Sequence, residues 1–274
     1  VVFCDKLNHA SIVDGCQLSG ADFVRFRHND LGDLERRLAQ TPRGVTRLVV
    51  VDAVFSMDGD WADLPGLSAL CRRHGAWLMV DEAHSLGVLG TTGHGLEEHF
   101  GLAGVIDIKM GTLSKTIPSV GGYIAAGADL VQVLRHAARG YIFSAALPPA
   151  QAAAALAALD VIEAEPERVR AVQANGARLR HGLRAAGFDI LKSETAIVPL
   201  ICGSDARAYQ VTRACQTQGI FALPVVSPAV PADLARIRAT VTAAHTAAEI
   251  DAGLDVFRSA GLEAGVLPGG KDDR

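Results

Sequence analysis

Three side chains whose types and spacing could do chemistry together stand in the first half of the sequence. Asp81 and His84 lie in Val80-Asp81-Glu82-Ala83-His84, and Lys115 closes Gly111-Thr112-Leu113-Ser114-Lys115. Trp77-Leu78-Met79-Val80 is an apolar run before an acid, which reads as a buried parallel strand delivering Asp81 at its carboxyl end. Ile106 to Leu113 reads as a second strand, ending just before Lys115. A carboxylate, an imidazole and an amine at the carboxyl ends of neighbouring parallel strands lie where open α/β sheets bind ligands.

Pyridoxal phosphate (PLP) chemistry needs these three groups together. A lysine amine forms a Schiff base with the cofactor aldehyde and must be deprotonated to do so, which a crowded apolar site favours. A buried aspartate beside the pyridine nitrogen keeps it protonated, so that the ring can take up electrons from the substrate carbon. A histidine three residues after that aspartate can hydrogen-bond the ring hydroxyl from the same strand end. Taken singly, an Asp after a strand is often a helix cap, and Ser-Lys is common surface sequence. In this order and together they are far more specific.

The elements that must position them can be followed along the chain. Val1 to Cys4 reads as a strand, and Asn8-His9-Ala10-Ser11 opens a helix with short polar caps. Asn29 or Asp30 caps a helix with Leu31, Leu34 and Leu38 on one face. Arg47 to Phe55 is a buried strand with Ser56 at its carboxyl end, and Pro65 begins a helix that stops near His74-Gly75. The glycine-rich stretch Val88 to Gly95 suggests a loop over the site, not a phosphate cradle, and no G-x-G-x-x-G follows an opening strand. Thr116 to Tyr123 turns tightly into another strand, Leu130 to Arg139 is helical, and an alanine-rich helix runs from about Pro149 to Glu163, with Ser144 as its candidate N-cap. A change of composition near residue 165 divides a cofactor-binding domain (1–164) from a smaller domain (165–274). In the latter, helices are expected over Glu167–Ala186, Ala206–Gln218 and Glu249–Phe257. Strands are expected over Ala196–Ile201, Leu223–Val226 and Arg236–Val241, and a polar tail over Pro268–Arg274.

Asn8-His9-Ala10-Ser11, Val54 to Asp60, Asp81 to Gly87, Gly111 to Lys115 and Thr242-Ala243-Ala244-His245-Thr246 resemble the α-oxoamine synthases, PLP enzymes of fold type I. The resemblance runs in register from about Asp5 to about Phe257. It implies an α/β fold with a mostly parallel sheet and a smaller α+β C-terminal domain. The activity it implies is condensation of an amino acid with an acyl thioester, with decarboxylation to an α-amino ketone. By the same resemblance Lys115, Asp81 and His84 are catalytic and hold the cofactor, and Ser56 and Thr112 approach it. Ser144 reaches the phosphate in a partner subunit of a homodimer with shared sites. Arg238 pairs with the substrate carboxylate, and His9 lies on a turn near the cofactor, where it binds substrate or is a structural hydrogen-bonder. The resemblance also implies a region before Val1 carrying a glycine-rich segment and the ring that stacks on the cofactor, so a fragment is expected. The acyl group is carried on coenzyme A or on a carrier protein; Pro118 departs from the pattern and would suit a secondary-metabolism branch that uses the carrier. The Asp/His/Lys set is shared with aminotransferases and aldolase-type lyases, which remain alternatives. A non-catalytic partner subunit is disfavoured because Lys115 is present.

Composition excludes other classes. A chain of 274 residues has material for one large domain or two smaller ones. A net charge of −4 and a pI near 6.1 give no reason to expect nucleic acid or an anionic membrane surface. Arg36-Arg37 and Arg72-Arg73 read as solvated helix faces. Five irregularly spaced cysteines suit reduced thiols in the cytoplasm, and no apolar run reaches transmembrane length. His94 and His99 flank Glu97-Glu98 on what reads as an exposed loop entering a helix, so no metal site is expected there.

Overall fold

A computed structural model of the chain describes residues 1–268; the expected polar tail lies outside them apart from Pro268. The chain divides into two compact units, Val1–Phe55 with Trp61–Val169, and Ser56–Asp60 with the chain from Arg170 onward.

The first unit is built on β1 (Val2–Asp5), β2 (Phe23–Phe26), β3 (Leu48–Asp52), β4 (Trp77–Asp81), β5 (Ile108–Thr112) and β6 (Gly122–Ala126). The sheet order is β2-β1-β3-β4-β5-β6, parallel throughout except for β6, which returns antiparallel to β5. Parallel pairing needs crossovers, and α1 (Ala10–Leu18), α2 (Leu31–Gln40) and α3 (Leu64–His74) supply them. The short α4 (Leu96–His99) precedes β5, and α5 (Ala128–Ala137), α6 (Arg139–Ile142) and α7 (Pro149–Ala164) follow β6. Strand burial explains the apolar runs: Val49, Val50, Val51, Leu78 and Val80 are all buried. One cluster joins Val2, Cys4, Cys16 and Val50, with Ile12 and Val13 of α1 packed against it.

Local signals set the helix ends. The Asp30 side chain accepts from the Asp33 amide at the start of α2, whose Leu34 and Leu38 are buried. Asp63 caps α3, which ends on Gly75 in the left-handed region. Two expectations fail here. Ser144 does not cap α7: the N-cap is Pro148, and Ser144 Oγ donates to the Gly140 carbonyl (2.6 Å) within its own turn. Nor is the Glu97-Glu98 segment simply exposed. Glu97 is buried, pairs with Lys109 (2.6 Å) and accepts from the Val105 and Ile106 amides.

The second unit carries an antiparallel sheet of order β7-β9-β8, from β7 (Ile197–Ile201), β8 (Pro224–Val225) and β9 (Arg236–Thr240). Its helices are α8 (Pro166–Ala185), which starts at the junction, α9 (Asp205–Thr217) and α10 (Ala247–Glu263), the last two packed together. Thr246 and Glu249 form a capping box on α10. Ser56–Asp60 is tied into this unit: the Gly59 carbonyl accepts from the Glu194 and Thr195 amides (3.0 and 3.1 Å). Gly59 has φ +75°, and a Cβ there would collide with the Ile197 carbonyl, so the position requires glycine.

Candidate active site

Asp81 and Lys115 are delivered by adjacent parallel strands. Asp81 ends β4 and pairs in register with Met110 of β5. The Asp81 carboxylate is buried and accepts from the Ala83 amide (2.9 Å), which starts the turn carrying His84. That turn is held from below by Glu82, also buried, which accepts from Ser85 Oγ and from the Leu96 amide (3.2 and 3.1 Å). His84 Nε2 then lies 2.9 Å from Lys115 Nζ. Lys115 itself is exposed, with the His84 imidazole within hydrogen-bond distance of its amine.

The turn bearing Lys115 is closed by Leu113 N to Gly121 O (2.9 Å) and Ser119 N to Leu113 O (2.7 Å). Leu113 and Ile117 pack on Ala155 of α7, and Ser119 Oγ donates to the Gln151 carbonyl (2.8 Å). Thr112 Oγ1 lies 2.8 Å from Ser114 Oγ in the same turn. The glycine-rich loop folds on itself through Gly87 N to Gly93 O (2.7 Å), and the Thr116 side chain sits where a Gly87 Cβ would be. Glu98 fastens its tip, accepting from Thr91 and Thr92 hydroxyls (2.7 Å each) and the His94 amide (2.9 Å). Burial opposes the charged form of Glu98, but these bonds outweigh it and hold its carboxyl at about 2.

His9 reaches the same strand ends as the N-cap of α1, its ring exposed and its Nδ1 2.8 Å from Ser11 Oγ. Burial raises the Asp81 carboxyl above the usual carboxylate range, while the Ala83 amide, Lys115 and His9 pull it back. Asp81, His84, Lys115, His9 and Thr112 thus gather in the first unit. Ser144 lies in that unit too, its hydroxyl on the Gly140 carbonyl. Ser56 and Arg238 belong to the second unit, where Arg238 Nη1 approaches the Ser56 carbonyl (3.5 Å). Arg236 differs from Arg238: it is buried and donates to the Leu234 and Met57 carbonyls (2.9 Å each) and to Asp58 (2.6 Å).

Two residues escape the sequence reading. Asp52 ends β3 opposite Asp81 and is equally buried. The signal was there, since Leu48-Val49-Val50-Val51-Asp52 has the same apolar-run-then-acid form as Trp77 to Asp81. Tyr123 of β6 packs where a Gly111 Cβ would stand. Burial, with Glu82 and Asp81 nearby, pushes its phenol up. Among the described residues no cluster of three or more His, Cys, Asp or Glu could hold a metal, and no helix is long and apolar enough to cross a membrane.

The fold is that of a class with known members: the family described as aminotransferase class I and II matches residues 1–257. An 8-amino-7-oxononanoate synthase of Geobacter sulfurreducens is 46% identical, covering 97% of this chain and 69% of its own length. A Halalkalibacterium halodurans protein that carries that name provisionally is 51% identical over 257 residues, covering 94% of this chain and 65% of its own. A serine palmitoyltransferase from S. paucimobilis, solved with a bound PLP–myriocin aldimine, superposes with TM-score 0.93 at 37% identity, covering 97% of this chain and 67% of that one. The chain therefore belongs to the aminotransferase class I and II family, in its α-oxoamine synthase branch. It spans about two thirds of the length of the relatives it matches.

Proposed function

We propose that this chain serves a PLP-dependent condensation of an amino acid with an acyl thioester, with decarboxylation to an α-amino ketone. The observation that carries the reading is the Lys115–His84 pair, 2.9 Å apart, beside the buried carboxylate of Asp81 at adjacent strand ends. The names of the relatives support the reaction type, and the PLP of the serine palmitoyltransferase structure supports the cofactor. The donor set fits PLP: an exposed primary amine to hold the aldehyde carbon, a buried carboxylate for the ring nitrogen, and Thr112 and Ser114 hydroxyls for the phosphate. Bound there, PLP supplies an electron sink for the substrate carbon.

The chain's own residues do the rest. Lys115 Nζ, when free, removes the proton from the substrate Cα, and His84 Nε2 shares that proton across their hydrogen bond. Asp81 supplies the negative charge that holds a cationic ring nitrogen. We assign the stacking ring to His9, which the chain presents next to Asp81 itself, in place of a ring from upstream. Ser56 we assign to the cofactor and Arg238 to the substrate carboxylate, because its exposed guanidinium suits a planar fork whereas that of Arg236 is already engaged.

The surface supports a homodimer with shared sites. Val133, Tyr141, Phe143, Leu147 and Leu156 are exposed along α5 to α7, with Phe143 at 77% and Leu156 at 64%. Such a run of large apolar side chains is a protein-binding face. In the dimer Ser144 reaches the partner's phosphate site. Phe143→Asp should give a monomer by analytical ultracentrifugation, and an unchanged mass would remove this face from the interface. The five free, buried thiols suit a cytoplasmic setting. The reaction is tested by thiol release. Incubation with PLP, small amino acids and an acyl thioester should liberate the thiol together with an α-amino ketone. Amine transfer to an oxo acid without thiol release would assign the chain to transamination instead.

A further inference from the structure

Asp52 has no part in the reaction as set out above, yet it bonds to the backbone of His9 and stands opposite Asp81. The turn before α1 is clamped onto β3 by three bonds: Asn8 Nδ2 to the Val50 carbonyl (2.7 Å), the Asp52 amide to Asn8 Oδ1 (3.0 Å), and the His9 amide to Asp52 Oδ2 (3.0 Å). The other carboxyl oxygen, Oδ1, is buried and has no hydrogen-bond partner in the structure. Asp52 stands directly opposite Asp81 in the β3–β4 register, and both carboxyls are buried.

Two carboxylates side by side away from water cannot both ionise cheaply, so one of them keeps a proton. Asp81 already has the Ala83 amide and faces Lys115 and His9. The charged groups facing Asp52 are Asp5 from β1, Asp81 from β4 and Lys115 after β5, two acids against one base.

We propose that Asp52 is a positioning residue: through the His9 amide it fixes the place of the His9 ring, and it holds a proton beside Asp81, so that the pair carries a single negative charge, on Asp81. Burial first, and Asp81 second, lift the Asp52 carboxyl to about 8, so the proton is retained through neutral pH. Above that value a second negative charge enters the site. The assignment of a proton to Asp52 stands on the chain alone; its consequence for the cofactor rests on the PLP reading above.

The experiment has two arms. Carboxyl-labelled aspartate NMR of the chain without PLP should show one side-chain carboxyl titrating near 8, and Asp52→Asn should remove that signal alone. PLP affinity is then measured below and above that pH. Asp52→Asn keeps an acceptor for the His9 amide and should bind within about two-fold of wild type at the lower pH, with a flatter pH dependence. Asp52→Ala loses the clamp as well and should bind roughly two- to ten-fold more weakly at the lower pH, the range for one neutral hydrogen bond. Absence of a carboxyl titrating near 8 that Asp52→Asn removes would overturn the proposal whatever happens with PLP. So would equal PLP affinity in wild type and Asp52→Ala at the lower pH. Failure of every protein to bind PLP, with the titration present, would strike the PLP reading and leave the shared proton standing.

Discussion

Replacing Arg236 and Arg238 by alanine, one at a time, separates two arginines that the sequence places on one face of one strand. Arg236 is 2% exposed, and its guanidinium and Nε satisfy two carbonyls and the Asp58 carboxylate. Removing one partner of a buried ion pair typically costs about 3–5 kcal/mol. The Asp58 side chain is 24% exposed and regains water when the pair is broken, so about 3 kcal/mol is the better expectation. Arg238 is exposed and approaches a carbonyl at 3.5 Å, so Arg238→Ala should change stability by no more than about 0.5 kcal/mol. In urea, with a slope of about 3 kcal/mol per M for a unit of this size, Arg236→Ala should lower the midpoint by about 1 M. Arg238→Ala should leave it in place and instead raise the amino-acid KM about ten-fold, the loss of one charge-assisted pair. Equal midpoints for the two variants would refute the reasoning, because it rests wholly on their different burial.

Two further outcomes follow from the same structure. Glu98 is held at about 2 against an ordinary glutamate near 4.3, so the stability it contributes is complete above the ordinary value and is lost as pH falls through about 2. With its side chain 23% exposed, this amounts to about 2 kcal/mol after screening. Melting curves of wild type and Glu98→Gln should therefore converge in acid and separate toward neutral pH, and parallel curves would show that the loop bonds do not hold Glu98 ionised. Gly111→Ala places a methyl against the Tyr123 ring, so it should weaken PLP binding while leaving the second unit's urea transition unchanged. Intact PLP binding would mean that Tyr123 has room to move.

Much of the strand framework around the candidate site is legible in the sequence, because an apolar run stopping at a polar residue is a strong local signal for the end of a buried parallel strand. The β4 and β5 strands and their parallel pairing are read this way, and the structure pairs them with Asp81 opposite Met110. Asp52 carries the same signal, but its place beside Asp81 depends on which strand lies next to which. The strand order puts β3 next to β4, and only that adjacency makes Asp52 a neighbour of Asp81. β2 is not legible in the sequence: four residues with an exposed Arg25 make too short a pattern for alternation to show. Arg236 and Arg238 look alike in sequence, since alternation fixes a face and not how deeply each side chain is buried. Ser144 illustrates the same limit at a helix end. Its hydroxyl is a natural cap by residue type, but Pro148 and Pro149 move the start of α7 past its reach.

The central claim is that Lys115 is the amine that holds PLP, beside Asp81 and His84. The direct measurement is to mix the chain with PLP, reduce with borohydride, and map the bound group by peptide mass spectrometry. The account predicts a single stable modification on Lys115, with none on Lys6, Lys109 or Lys192, and both the label and the visible absorbance of bound PLP lost in Lys115→Ala. A label on another lysine, or undiminished labelling of Lys115→Ala, would contradict it.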